Sequence, residues 1–113
     1  LVHIEAQPAT QDEIGRFHTP SYIEKVRQFS ARGGGHLDPD TYTNAFTFDA
    51  AVLAAGALMG ITRAVLTNRV RNGFALVRPP GHHAERRRAM GFCLFNNIAV
   101  AALLPRPTML EPA

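Results

Sequence analysis

"GFALVRPPGHHAERRRAMGFCLFNNIAVAALL", residues 73–104, decides how this 113-residue chain is read. Residues 74–77 are apolar without alternation, the pattern of a strand buried on both faces. Pro79 and Pro80 must end such a strand, because proline has no amide proton to give to a sheet ladder. The adjacent histidines His82 and His83 follow that Pro-Pro-Gly turn. In open α/β sheets ligands bind beyond the carboxyl ends of the strands, so the two imidazoles stand where a site would be. Asn96 or Asn97 then caps a last helix, "NIAVAALL", which Pro105 and Pro107 terminate.

Upstream, Thr19-Pro20 reads as an N-cap and first helical residue, and Tyr22, Ile23, Val26 and Phe29 recur at helical spacing. Gly33-Gly34-Gly35 supplies the stop, since glycine tolerates the left-handed conformation that follows many helices. A shorter helix over residues 11–17 would use Thr10 as its cap, and residues 1–6 suit a short extended segment. Residues 36–46, "HLDPDTYTNAF", read as a turn-rich loop whose Asp-Pro-Asp-Thr favours local side-chain-to-backbone bonds. A long helix over residues 48–66, capped by Thr47, carries so much Ala and Gly that it suits close packing. This order of elements gives an α/β fold. A strand buried on both faces needs parallel neighbours, however, and only one strand is legible. The chain therefore reads as part of a larger domain with an incomplete sheet.

The length allows one small domain and not two, and an apolar fraction of 46% is ordinary for a globular protein. The formal charge is +3, and every basic residue except Lys25 is an arginine. Only Arg86-Arg87-Arg88 forms a run, read as a solvated loop, so nucleic acid is not an expected partner. A single cysteine, Cys93, excludes an internal disulfide and cannot supply a thiolate cluster for zinc. It fits a reducing cytoplasm. No basic leader is visible before Glu5, although the chain does not begin with Met. The longest uncharged run, residues 50–62, is too short and too rich in Ala and Gly to cross a membrane.

Histidine titrates near neutrality, so a positioned pair can take up a proton and return it. Adjacent histidines meet on one metal less readily than His-x-His or His-x-x-x-His. Residue physics alone leaves His82 and His83 evenly divided between proton transfer and polar loop. His3, His18 and His36 read as polar surface, with His18 alternatively bonding beside the helix start.

Residues 75–102, "ALVRPPGHHAERRRAMGFCLFNNIAVAA", closely resemble the zinc-dependent histone deacetylase family. The likeness leans toward its bacterial, class II-like amidohydrolases, which are related to acetylpolyamine amidohydrolases and acetoin-utilisation proteins. Upstream, "FHTPSYIEKV", "GGGHLDPDTY" and "AAVLAAGAL" resemble the family in the expected order, so the likeness covers most of residues 5–104. It implies the arginase/deacetylase-like three-layer fold built on a parallel sheet. It also implies that His82 and His83 are the catalytic histidine pair, His83 being general base toward the attacking water and acid toward the leaving amine. Gly91 and Phe92 would line the acyl-lysine channel, where a methylene stem needs an apolar sleeve. Asp40 would be the rim carboxylate that accepts substrate backbone N–H bonds. Without the resemblance, Phe92 reads as core and Asp40 as a turn residue. The implied cofactor is zinc, and the implied substrate an acetylated lysine side chain or a small acyl amide such as an acetylpolyamine.

The chain departs from that pattern in one direction. The family's zinc ligands, an Asp-x-His motif and a later Asp, follow the Gly-Phe-Cys segment. Here no Asp follows Asp49, no His follows His83, and the last tyrosine is Tyr42. Arg86 and Arg87 also stand where relatives often carry a proline and an acidic residue. Residues 1–104 are accordingly read as a partial histone deacetylase domain. Residues 105–113, with Pro105, Pro107 and Pro112, are read as a divergent tail of the kind a frameshift or premature stop produces. The chain alone is expected to be weakly stable, to bind no zinc and to be inactive. The alternative is a non-catalytic deacetylase-like protein that acts through a partner chain at its open sheet edge.

Overall fold

Threonine side chains start the first two helices, as the sequence suggests. In the computed structural model, which describes residues 1–105, α1 (Gln11–Ile14) opens with a capping box. Glu13 N–H donates to Thr10 Oγ1 at 3.2 Å, and Thr10 N–H donates to Glu13 Oε1 at 2.8 Å. In α2 (Pro20–Ala31), Tyr22 N–H donates to Thr19 Oγ1 at 3.2 Å, and Pro20 takes the first helical position. Tyr22, Ile23 and Val26 face inward, whereas Glu24 and Arg27 form an ion pair on the solvent side. The helix stops before three successive glycines at positive φ, Gly33 to Gly35. The α1 helix ends at Ile14, short of the expected residue 17.

Residues 36–46 are not only loop. The strands β1 (Gly35–Asp38) and β2 (Thr41–Thr43) pair antiparallel, with His36 opposite Tyr42, Asp38 opposite Thr41, and an irregularity between His36 and Asp38. Asp38-Pro39-Asp40-Thr41 is the turn of this hairpin. Its strands are too short to show alternation in sequence, but the period of two is present: Thr41 and Thr43 are buried and Tyr42 is exposed.

The α3 helix (Thr47–Leu66) begins one residue earlier than expected, and Thr47 is not its cap. Phe46 stands at the cap position without a side-chain cap bond, and in the turn before it Phe46 N–H and the Thr47 hydroxyl both donate to Asn44 Oδ1, at 2.9 and 3.1 Å. Ser30 locks this start to the end of α2, accepting from Phe48 N–H and donating to the Asn44 carbonyl. By length and composition α3 could cross a membrane, yet here it packs against α2 and against α4 (Asn97–Ala102). Its small residues permit this. Gln7 to Ala9 cross the helix at Gly56, where Ala9 N–H donates to the Val52 carbonyl at 2.9 Å and an added Cβ would stand 1.7 Å from the Gln7 oxygen. Asn96 caps α4 by accepting from Ala99 N–H at 3.0 Å. That helix ends before Pro105; Pro107 and the expected tail from residue 106 onward lie outside the described residues.

The expected strand at residues 74–77 does not form. Among the described residues, none of 71–80 makes a backbone–backbone hydrogen bond, and Phe74 and Leu76 are 81% and 90% exposed. A parallel ladder needs a neighbour on at least one side, and no described residues supply one. The apolar pattern is thus that of a strand whose partners are missing. Ile14, Tyr22, Ile23, Val26, Ala55, Met59, Leu94, Phe95 and Val100 form the core that remains.

Candidate active site

Residues 81–96 connect the exposed 71–80 segment to α4 with little regular structure, only the isolated bridges Glu85↔Arg88 and Met90↔Cys93. Side chains from elsewhere shape the loop instead. Tyr22 Oη–H donates to the Leu94 carbonyl at 2.6 Å, and Asn96 Nδ2–H to the Ala84 carbonyl at 3.1 Å. Burial pushes the Tyr22 hydroxyl far above its usual pKa, so it remains a donor at any relevant pH.

The second bridge encloses a two-residue turn. Met90 N–H donates to the Cys93 carbonyl at 3.1 Å, and Cys93 N–H returns the bond at 3.0 Å. Gly91 and Phe92, at φ 59° and 66°, are both left-handed, as a type I′ turn requires. Glycine is needed at the first position for a second reason. A Cβ on Gly91 would lie 2.7 Å from Cδ2 of His83, so the turn rests directly on that imidazole.

His82 and His83 are both exposed, with ring centroids 4.2 Å apart and planes at 50°. The backbone N–H of His83 donates to Cys93 Sγ at 3.5 Å, and the buried thiol donates onward to the Gly91 carbonyl at 3.3 Å. Asp40 reaches the same turn from the β1–β2 hairpin. Its Oδ1 accepts from Gly91 N–H and from the Thr41 hydroxyl, each at 3.1 Å, while Thr41 Oγ1 accepts from Phe92 N–H at 3.2 Å. The Thr41 hydroxyl bond, helped by the Gly91 amide and opposed by burial, holds the Asp40 carboxyl below the usual carboxylate range. Asp40, Gly91, Phe92 and His83 are thereby brought side by side. The phenyl ring of Phe92 is exposed rather than part of the core, and it shares an open groove of about 500 Å³ with Asp40, Tyr42, Phe46 and Arg78.

His18 is misjudged as polar surface. It is fully buried, its Nδ1 lies 3.0 Å from the Arg86 carbonyl, and its Nε2 accepts from Asn96 N–H at 2.9 Å. A single histidine shows no such partners in sequence; the only hint is its place between Phe17 and the Thr19 cap. The arginine run is also partly used within the fold. Arg86 Nε–H donates to the Phe17 carbonyl at 3.2 Å, and Arg88 pairs with Asp38 at 3.3 Å, leaving Arg87 free in solvent.

Among the described residues no three His, Cys, Asp or Glu side chains come together so as to hold a metal ion. The donors present do not, by themselves, fit a resident zinc.

The chain matches the histone deacetylase domain over residues 1–108. It is 48% identical over 101 residues to "Histone deacetylase 15" of Arabidopsis thaliana, covering 89% of this chain and 18% of that protein. It is 44% identical over 108 residues to "Polyamine deacetylase HDAC10" of Homo sapiens, covering 89% and 16%. A "Probable deacetylase" of Methanothermobacter thermautotrophicus is 44% identical over 100 residues, covering 87% and 29%. These relatives are plant, human and archaeal, so the leaning toward bacterial members rests on the motif reading alone. The crystal structure of the HDA15 HD domain superposes with a TM-score of 0.86 at 48% identity, covering 88% of this chain and 28% of that one. The chain therefore spans less than a third of each protein it matches here, and its architecture is a fragment of the α/β deacetylase fold. With the domain match running over nearly its whole length, the chain belongs to the histone deacetylase family.

Proposed function

We propose that this chain is the proton-handling and channel-wall portion of a zinc-dependent deacetylase that hydrolyses acetylated lysine or a related acyl amide. The observation that carries the reading is the pair of exposed imidazoles 4.2 Å apart, resting on a left-handed Gly91-Phe92 turn tied to the Asp40 carboxylate. In such a reaction water adds to the acyl carbon, the C–N bond breaks, and acetate and a free amine leave. His83 takes the proton from the attacking water and returns it to the departing nitrogen, with His82 beside it as the other member of the pair. Phe92 offers an apolar face for a methylene chain, and Asp40 has a second carboxylate oxygen with which to accept substrate N–H bonds. When bound, zinc supplies polarisation of the acyl oxygen. Residues 1–104 are the family portion in this reading, and a reducing compartment suits the free, buried Cys93.

The test is a graft. Residues 75–102 replace the matching segment of the Arabidopsis HD domain, and hydrolysis of an acetyl-lysine peptide and an N-acetylpolyamine is measured. The graft is expected to turn over, and His83→Ala within it to lower kcat by roughly 100-fold or more. A folded, zinc-loaded graft without turnover would contradict the roles given to these residues. The 113-residue chain alone is expected to bind no stoichiometric zinc and to release no acetate; both together would overturn its incompleteness.

A second reading, a non-catalytic protein that pairs with a partner chain, draws on the exposed Phe74 and Leu76. A native stop codon and a stable heteromeric complex would favour it over the first.

A further inference from the structure

Two points of the 81–96 loop, residue 86 in its middle and residue 96 at its end, are held by one side chain that comes from far away in sequence. Asn96 N–H can only donate, so the His18 Nε2 it meets at 2.9 Å must carry a lone pair. The ring proton then sits on Nδ1 and is donated to the Arg86 carbonyl at 3.0 Å. Geometry therefore fixes both the tautomer and the charge: the ring is neutral. Phe17, Tyr22 and Phe95 enclose it, with ring centroids at 4.8, 5.1 and 5.3 Å, and none of its surface reaches solvent. Asn96 is also the cap of α4 and bonds to the Ala84 carbonyl, next to His83.

We propose that His18 is a positioning residue: a neutral imidazole staple that sets the place of the His82–His83 loop and releases it on taking up a second proton. A doubly protonated ring would point N–H at the Asn96 N–H and lose that bond. Burial disfavours the charged ring and pushes its pKa below the ordinary histidine value, against the opposing Arg86 and Glu85 carbonyls. The titratable side chain stacked on it is Tyr22 from α2, the loop presents the Glu85 and Arg86 carbonyls to it, and α1 carries Asp12 beside Glu13. The α4 helix carries no titratable residue, and on α1 Glu13 is committed to Arg63. A lowered folded pKa means that the staple is fully present above the ordinary value of about 6.5 and is lost as pH falls through the lower, folded value. The functional meaning of the staple rests on the deacetylase reading of the loop, but its structural content does not.

Amide hydrogen exchange on the 113-residue chain tests it, corrected for intrinsic rates, between about pH 8 and about pH 5. Protection of residues 84–96 is expected to fall by roughly tenfold or more across that range while α2 and α3 keep theirs. His18→Gln, whose amide oxygen can accept the Asn96 bond without titrating, should remove the pH step. A loop whose protection is flat with pH, or falls only together with α2 and α3, overturns the proposal, as does a step that survives in His18→Gln. Should that variant fail to fold, the wild-type profile decides alone. Because no arm uses hydrolysis, an inactive graft would sink the functional reading and leave this result standing.

Discussion

Phe92 holds a left-handed backbone (φ 66°) with its ring largely in solvent, 66% exposed. A β-carbon in that region costs roughly 1–2 kcal/mol, and an exposed ring recovers little of it by packing. Phe92→Asn is therefore expected to stabilise the chain by about 1 kcal/mol, a rise in Tm of several degrees for a domain this small. In the grafted HD domain the same change should raise KM for acetyl-lysine. A lower Tm in thermal denaturation would mean that the ring is held by contacts. Asp40 makes the opposite kind of contribution. Its carboxyl is held below the usual range, so its stabilisation is present above the unfolded carboxylate pKa and lost as pH falls through the folded one. Asp40→Ala should expose the Gly91 amide to exchange and flatten the most acidic part of the stability profile, below the window in which His18 acts. The histidine pair, Gly91, Phe92 and Asp40 were singled out by a resemblance to a family motif; from the residues alone Phe92 read as core and Asp40 as a turn residue. His18 was not singled out, because its partners are main-chain atoms 68 and 78 residues away and leave no residue signature.

At the level of elements, three expected caps hold, Thr47 fails as the cap of α3, and the strand pairing was missed. Thr10, Thr19 and Asn96 each begin the helix expected of them, since a cap bonds within three residues of itself. The hairpin was hidden for the opposite reason. It has too few residues to show a period, and Asp38-Pro39-Asp40 reads equally as a loop. The α3 helix shows how composition encodes contact. Its glycine at position 56 lets residues 7–9 cross the helix at main-chain distance, and a methyl group there would overlap the Gln7 oxygen. Gly56→Ala gains helix propensity of up to about 1 kcal/mol. Displacing the crossing strand should cost more, about 1–3 kcal/mol in overpacking, with the Ala9–Val52 bond lost besides. The expected result is net destabilisation in urea, with proteolysis appearing first in residues 1–9. Equal or higher stability would mean that the N-terminal segment adds little to the fold.

For the molecule as a whole, the decisive quantity is apolar surface left without a partner. Phe74 and Leu76 are almost wholly exposed, Val77 is 38% exposed, and the segment that carries them has no backbone–backbone bonds among the described residues. The sequence announced a strand buried on two faces, and the fold supplies neither the faces nor the neighbours. The expected strand does not form among the described residues, as a reading of the chain as part of a larger sheet allows. Unpaired apolar strands are templates for non-specific association. The chain is therefore expected to self-associate at micromolar concentration, with amides 74–77 unprotected in its dilute form. Leu76→Lys adds charge where nothing is packed, so it should shift light scattering toward the monomer while helical circular dichroism is unchanged and unfolding free energy stays within about 0.5 kcal/mol of the parent. In the grafted HD domain, if the rest of the fold supplies the neighbours that residues 74–77 lack here, the same lysine should instead be costly, by about 1.5–3 kcal/mol of lost side-chain burial before any penalty for its charge. A substitution harmless in both settings would show that residues 74–77 are never a strand, and a substitution costly in both would show that this segment already packs in the isolated chain.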